Sequence, residues 1–441
     1  MDRSTIKSIG LVLIWVLGAL LSGCSMDRKI ARKVNRQFKD TKVFKQHHIG
    51  FALYNRETKN MIFEKDAEKY FTPASNTKLF TFYAGLKILP DSIPSLRFIE
   101  RGDSLIFWGT GDPSFLQSNL KGTKAFDFLK ISAKKLYYAA GRYTGDFYGK
   151  GWQWDDYNDY YQAEINELPI LDNLIQVKSK GNGIQVIPKL FEDCFSVDSA
   201  DQGKTFSVTR HFNENVFKYP LTAIPASFTQ QLPYKVSTTA TIALLADTLG
   251  KEVGFLSMKM PSNAETVYNL KRDSVLKEMM LPSDNFIAEQ LLLVYANQAD
   301  LEMNAEKVID YIEKNYLASL PDKPKWVDGS GLSRYNLVTP RDLIRLLELI
   351  YDEVNDPKKL FSMLPAGGMT GTLKNAYPRT NDPFVFGKTG TVSNNHNQSG
   401  YVRTKKGKIY LFSFMNNNYV LPTAAVRTEM VRIITYIHEN F

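Results

Sequence analysis

The sequence predicts an α/β layered body, an antiparallel sheet flanked by helices, split by a long and mostly β insert. Three observations carry this. Apolar residues at helical spacing (Leu79, Phe80, Tyr83, Leu86, Leu89) follow a short hairpin pattern near the start. Three strand-like runs joined by short turns, and then a closing helix, end the chain. Between these halves, residues 93–262 are rich in Gly, Tyr, Trp and short apolar runs. Helices first, then a meander, then a helix describe a layered fold.

The elements follow in order. Residues 24–45 read as a tether with a short amphipathic helix through Ile30, Val34 and Phe38. His48 to Tyr54 and Met61 to Phe63 alternate like a hairpin around Asn55-Arg56-Glu57-Thr58. Thr72-Pro73-Ala74-Ser75 reads as a helix start, Thr at the cap and Pro at the first position. That helix stops near Pro90. In the insert, Leu105 to Trp108, Ile184 to Ile187, Phe206 to Thr209 and Thr239 to Ala246 are the apolar runs. Turns fall at Gly109 to Pro113, Gly141 to Gly145 and Gly181 to Gly183. From residue 263 helices return at Phe286 to Tyr295, Ala305 to Leu317 and Pro340 to Tyr351. Strands are expected at Pro383 to Val392, Gln398 to Thr404 and Lys408 to Asn416, and a helix at Pro422 to Glu439. The expected division is 46–92 plus 263–441 as one domain and 93–262 as the insert.

Length and composition bound the function. At 441 residues the chain is too long for one average domain. An apolar fraction of 44% with 23% charged residues excludes a disordered chain and a multi-span membrane protein. Two cysteines exclude a disulfide scaffold and a Cys-rich zinc module. Fifty-five Lys and Arg against 46 Asp and Glu leave a formal charge of +9, spread along the chain. No basic run is dense enough for nucleic acid, so no nucleic-acid partner is expected.

Residues 1–23 read as an export signal. Arg3 and Lys7 precede an apolar run from Ile9 to Leu21, too short for a span of ~20 residues. It ends in Leu21-Ser22-Gly23-Cys24, which resembles the bacterial lipobox. The resemblance implies lipid on Cys24, a firm membrane anchor and a periplasm-facing lipoprotein of the cell envelope. Ser25 resembles the residue found in lipoproteins sorted to the outer rather than the inner membrane. Cys194 then has no disulfide partner in the chain and reads as a buried structural thiol.

Three short patterns can do chemistry: Ser75-Asn76-Thr77-Lys78, Ser283-Asp284-Asn285 and Lys388-Thr389-Gly390-Thr391. Ser75 and Lys78, three apart on a helix, share a face. A lysine amine can take the serine proton if burial or a neighbouring cation lowers its pKa. Ser283 offers a hydroxyl relay, and Asn285 an amide to hold a substrate carbonyl. Lys388 and Thr389 can bind a carboxylate, and Gly390 admits a close backbone. The backbone N–H groups of Ser75 and Thr391 can form an oxyanion hole. Singly these patterns mean little: Ser-x-x-Lys recurs at Ser4, Ser118, Ser132 and Ser274. Alone, Ser75 would cap a helix, Lys78 would be a solvated charge and Lys388 a strand-edge gatekeeper. The three in order, each in its own setting, are specific.

That order resembles the penicillin-binding proteins and serine β-lactamases. The 208 positions from Ser75 to Ser283 are similar to the long insertion of the class C low-molecular-mass penicillin-binding proteins. Phe71 to Ser75, Gly109 to Pro113, Asp328 to Arg334 and Gly371 to Leu373 also resemble this family. The resemblance spans essentially the whole mature chain. It implies a transpeptidase-like fold and a serine DD-peptidase, carboxypeptidase or endopeptidase, that cleaves after D-Ala in peptidoglycan stem peptides and is acylated by β-lactams. Ser75 would attack, Lys78 and Ser283 would move the proton, and Ser75 and Thr391 would hold the oxyanion. Lys388 and Thr389 would bind the terminal carboxylate and Asn285 the peptide. Some family members bind the ammonium of a diaminopimelate side chain with an Asp placed like Asp146; a turn Asp after Gly145 is the other reading. No cofactor or metal is implied.

The five histidines form no His-Glu-x-x-His pair, and no Gly-x-Ser-x-Gly elbow occurs. His396, in an Asn-rich stretch, reads as a surface turn. The Trp152/Trp154 pair reads as packing. Two rival functions remain. A β-lactamase needs a fast deacylating base, and no Glu motif of the small β-lactamases precedes Ser283. A non-catalytic peptidoglycan-binding lipoprotein would not need the complete set of site residues.

Overall fold

A computed structural model describes residues 27–201 and 203–441. The signal segment and Cys24 lie outside the described residues. Contacts group the chain into two units. One holds the chain through Asn76 with Leu320–Pro324 and Leu337–Phe441; the other holds Thr77–Ser319 and Lys325–Asn336. This division counts packing, whereas boundaries at 93 and 263 mark changes of composition.

The first unit is built on a five-stranded antiparallel sheet. Its order is Val385–Val392, Asn395–Arg403, Ile409–Asn417, His48–Asn55, Asn60–Lys65. One face carries Phe51, Leu53, Phe412 and Phe414 under two helices, residues 27–39 and Thr423–Asn440. Ile30, Val34 and Phe38 bury their stripe there, as the spacing predicts. The other face takes the Pro340–Val354 helix, where Tyr401 donates to Leu347 O at 2.7 Å. Thr339 caps that helix through Asp342 N, and Pro340 occupies its first turn.

The second unit contains a helical layer. Lys78–Ile88 and Asn285–Gln298 are buried almost all round, which suits their apolar sequences. Arg272–Met280 and Ala305–Tyr316 cover them. A mixed sheet runs Val253–Phe255, Lys135–Tyr138, Ser104–Gly109, Ser92–Arg101, Glu265–Lys271. Two three-stranded sheets complete the unit among the described residues.

The expectations differ from the structure in three places. Thr239 to Ala246 belongs to a helix, Thr238–Leu249, rather than to β structure. Ser237 caps it through Ala240 N, left-handed Gly250 ends it, and Thr241, Leu244, Leu245 and Leu249 are buried at helical spacing. The second strand of the meander starts at Asn395, not Gln398. Ser393-Asn394, with Asn394 at φ 67°, makes a two-residue turn that returns the chain at once. The α-helix expected from Pro73 begins at Lys78; Ala74–Thr77 is a 3-10 turn before it.

Candidate active site

In the first unit the site starts from the turn Phe71–Asn76. Phe71 and Val338 exchange backbone hydrogen bonds at 2.9 and 3.0 Å. Asn417 holds Thr72 from both sides: its Oδ1 accepts from Thr72 N at 2.8 Å, and its Nδ2 donates to Thr72 O at 3.2 Å. Asn397 Nδ2 donates to the same carbonyl at 2.9 Å. Asn76 Nδ2 donates to Ser399 Oγ at 2.9 Å. A patch of buried Asn and Ser side chains on the sheet thus fixes the turn that carries Ser75. Ala74 sits at φ 47°, a costly conformation for a residue with a Cβ. Ser75 itself is half-buried.

Val385–Val392 forms the edge of the sheet. Gly387 N donates off the edge to Pro365 O at 3.0 Å. Backbone direction alternates along a strand, so Thr389 and Thr391 N–H also point off the edge. Lys388 is buried and donates to Thr389 O at 2.7 Å. Thr389 Oγ1 donates to Thr372 Oγ1 at 2.6 Å. Gly390 has a specific steric reason: a Cβ there would lie 2.5 Å from Pro73 O, 2.8 Å from Ser75 N and 2.9 Å from Asn76 N.

His396 is not at a surface turn. It is 3% exposed, on the strand beside the edge, and its Nδ1 lies 2.7 Å from Thr391 Oγ1. Burial, with the charge of Arg427, lowers its pKa to about 4, so it is neutral at ordinary pH.

In the second unit Lys78 is fully buried. It donates to Asn285 Oδ1 at 2.6 Å and to Ser330 O at 2.8 Å. Desolvation lowers its pKa to about 8, against the opposing charges of Glu289, Asp284 and Asp328. A lysine in this state can supply a neutral amine at mild pH, as a general base must. Ser283, at φ 67°, ends the turn after Arg272–Met280, and Asp284 caps the next helix through Ile287 N. Asn285 is the first residue of that helix, and its Nδ2 also donates to Tyr161 O at 3.2 Å.

The loop Asp328 to Ser333 is organised around one buried carboxylate. Asp328 accepts from Gly331 N, Ser333 N, Asn336 Nδ2 and Trp152 Nε1. Trp152 is thus half-buried and bonded, whereas Trp154 is 75% exposed. Asp146 is exposed and lines a cavity of about 560 Å³ that Lys150, Glu289, Trp326 and Asp328 also reach. Cys194 is a half-buried free thiol whose pKa burial raises. No cluster of metal-ligating side chains occurs among the described residues. Sequence reasoning missed Glu289, His396, Asn397 and Asn417. Only Glu289 had a signal, as a lone acid in the apolar run Phe286 to Ala296.

The profile of the D-Ala-D-Ala carboxypeptidase 3 (S13) family matches residues 30–438. The chain is 22% identical to the D-alanyl-D-alanine carboxypeptidase DacB of Haemophilus influenzae, over 95% of this chain and 96% of that one. It is 25% identical to the penicillin-sensitive carboxypeptidase A of Dictyostelium discoideum, over 85% of this chain and 83% of that one. Among solved structures, penicillin-binding protein 4 (dacB) from Haemophilus influenzae has the same fold, with a TM-score of 0.73 at 21% identity, covering 92% of this chain and 99% of the other.

Proposed function

The chain belongs to the D-Ala-D-Ala carboxypeptidase 3 (S13) family, and from that premise we propose how its residues divide the chemistry. The activity is that of a serine DD-peptidase. The observation that carries the assignment of residues is Lys78: a buried amine, held by two neutral oxygens, with its pKa lowered to about 8, three residues after a half-buried serine.

In this reading Lys78, as the free amine, takes the proton of Ser75 Oγ, with Ser283 as relay. Oγ attacks the carbonyl carbon between two D-alanines. The N–H groups of Ser75 and Thr391 receive the oxyanion. The C–N bond then breaks, and the leaving amine takes the proton from Lys78. Water attacks the acyl-enzyme, giving its proton back through Lys78, and Ser75 is restored. Lys388 and Thr389 bind the terminal carboxylate, Asn285 holds the peptide, and Gly390 keeps the strand edge open to the substrate backbone. Asp146 receives an ammonium group from the stem-peptide side chain. A β-lactam acylates Ser75 in the same way and leaves it slowly.

We also propose that residues 46–92 and 263–441 form the transpeptidase-like part, with 93–262 inserted. Cys24 carries the lipid that holds the protein at the envelope, facing the periplasm and on the outer rather than the inner membrane. The lipobox-like Leu21 to Cys24 supports this. Among the described residues no helix is long and apolar enough to cross a membrane. A Cys24→Ala protein that stays in the membrane fraction would overturn the anchor.

The deciding experiment is labelling by a fluorescent penicillin, wild type against Ser75→Ala, with intact-mass detection. A stable adduct on wild type alone supports the reading, and a stem-peptide digest then separates carboxypeptidase from endopeptidase. Rapid penicillin turnover without a lasting adduct favours a β-lactamase. Neither adduct nor turnover favours a non-catalytic peptidoglycan-binding protein.

A further inference from the structure

We propose that Glu289 is a positioning residue for the lysine base: its carboxylate clamps the Gly329 and Ser330 amides so that the Ser330 carbonyl is held on Lys78 Nζ. The inference rests on the reading of Lys78 as the base.

The contacts form a continuous chain. Glu289 Oε2 accepts from Gly329 N at 3.0 Å, and Oε1 accepts from Ser330 N at 2.7 Å. Ser330 O then accepts from Lys78 Nζ at 2.8 Å. Asn285 and Glu289 stand four residues apart, on one face of the Asn285–Gln298 helix. The same helix face therefore reaches Lys78 twice, directly through Asn285 Oδ1 and indirectly through Ser330. Thr81, one turn after Lys78, donates to Gly329 O at 2.7 Å and pins the loop from the opposite side. Gly329 lets the loop lie this close, since a Cβ there would be 2.4 Å from Ala288 O.

Glu289 is 3% exposed, and nothing about packing calls for a carboxylate in an apolar helix. Burying one is costly unless its oxygens are satisfied. Two backbone donors satisfy them and favour the ionised form, against burial and the charge of Asp328, which push the pKa of Glu289 up to about 8. A carboxylate on the amides of a peptide also polarises that peptide and strengthens its carbonyl as an acceptor. The result is a fixed direction for Nζ. The other groups that face this arrangement are Asp328, whose charge acts on both Glu289 and Lys78, and Asp284, whose charge acts on Lys78. Tyr143 faces Glu289 and Asp146, and burial raises its pKa.

The test compares the pH dependence of penicillin acylation in wild type, Glu289→Gln and Glu289→Asp, with thermal unfolding of each. Glu289→Gln keeps the shape but presents an NH₂ to one amide and removes the titration of Glu289 itself, whose pKa burial and the charge of Asp328 push up to about 8. We expect its plateau rate to fall about tenfold to a hundredfold and its acid limb to move to lower pH, with the pre-acylation binding constant unchanged. Glu289→Asp keeps the charge but is too short to reach both amides; its plateau falls while the limb stays. Wild-type kinetics in a folded Glu289→Gln protein would overturn the proposal. So would a rate loss matched by lost stability with an unmoved limb. If Glu289→Gln does not fold, wild-type kinetics in Glu289→Asp overturns it alone. Lys78→Met is run beside them: if that variant acylates normally, the base reading itself fails, whatever Glu289 does.

Discussion

The backbone nitrogen of Ser75 lies 2.8 Å from the point that a Cβ on Gly390 would occupy. The glycine of the third motif and the serine of the first, 315 positions apart in sequence, are thus in steric register. The neighbouring atoms are backbone, Pro73 O and Asn76 N, and cannot rotate away.

Gly390→Ala should therefore displace the serine turn. We expect stability to fall by about 1–3 kcal/mol and penicillin acylation to fall at least ~100-fold. Stopped-flow acylation with chemical denaturation checks both. Gly183→Ala, where nothing stands closer than Lys180 O at 4.0 Å, should leave the rate unchanged.

Lys78 sets a pH dependence. Its folded pKa of about 8 lies below the ordinary 10.5, so acylation should rise with pH through about 8. The same shift bears on stability. Between about 8 and 10.5 the unfolded chain binds the proton that the folded chain has released, so stability from this group rises with pH there. The full change is roughly 3 kcal/mol. Denaturation at pH 7 and pH 10.5 should show Lys78→Met gaining on wild type at the lower pH, and acylation should be lost in the variant at both.

His396 is shifted in the same direction, in a lower pH window. Its folded pKa of about 4 is below the ordinary 6.5. Its contribution is complete above 6.5 and is lost as pH falls through 4, again by roughly 3 kcal/mol. His396→Gln keeps a polar group near Thr391 but cannot take the proton. Acid unfolding of this variant, followed by circular dichroism, should show a flatter stability profile between pH 6.5 and 4 than wild type.

Asn417 both accepts from and donates to Thr72. Asn417→Ala leaves Thr72 N–H without that acceptor and should cost about 1–3 kcal/mol. Because Thr72 leads into the Ser75 turn, the acylation rate should fall with it. A destabilised variant with a wild-type rate would separate the two effects and show that the turn is held elsewhere.

How much was legible in the sequence follows from the range of each interaction. The helix through Leu79 to Leu86, the hairpin from His48, and the helices at Ala305 and Pro340 depend on spacing and caps within a few residues, and the structure shows all of them. The three motifs depend on residue type and order, and these too are in the sequence. Thr239 to Ala246 is ambiguous in sequence because a short apolar run of β-branched and aliphatic residues suits a buried strand or a buried helix. Ser237 and Gly250, its two ends, decided for the helix.

The sequence by itself determined which groups are present: a serine and a lysine one turn apart, an Asn at a helix start, and a Lys-Thr-Gly strand. Only the tertiary structure decided their state. Lys78 becomes a candidate base because burial removes water from its amine, and its acceptors come from positions 207 and 252 residues away. His396 is buried because a two-residue turn returns the chain into the sheet. Glu289 meets a peptide 40 residues downstream because Gly329 lets the loop approach its helix. Desolvation and close packing belong to the folded assembly of distant segments, and no local pattern encodes them.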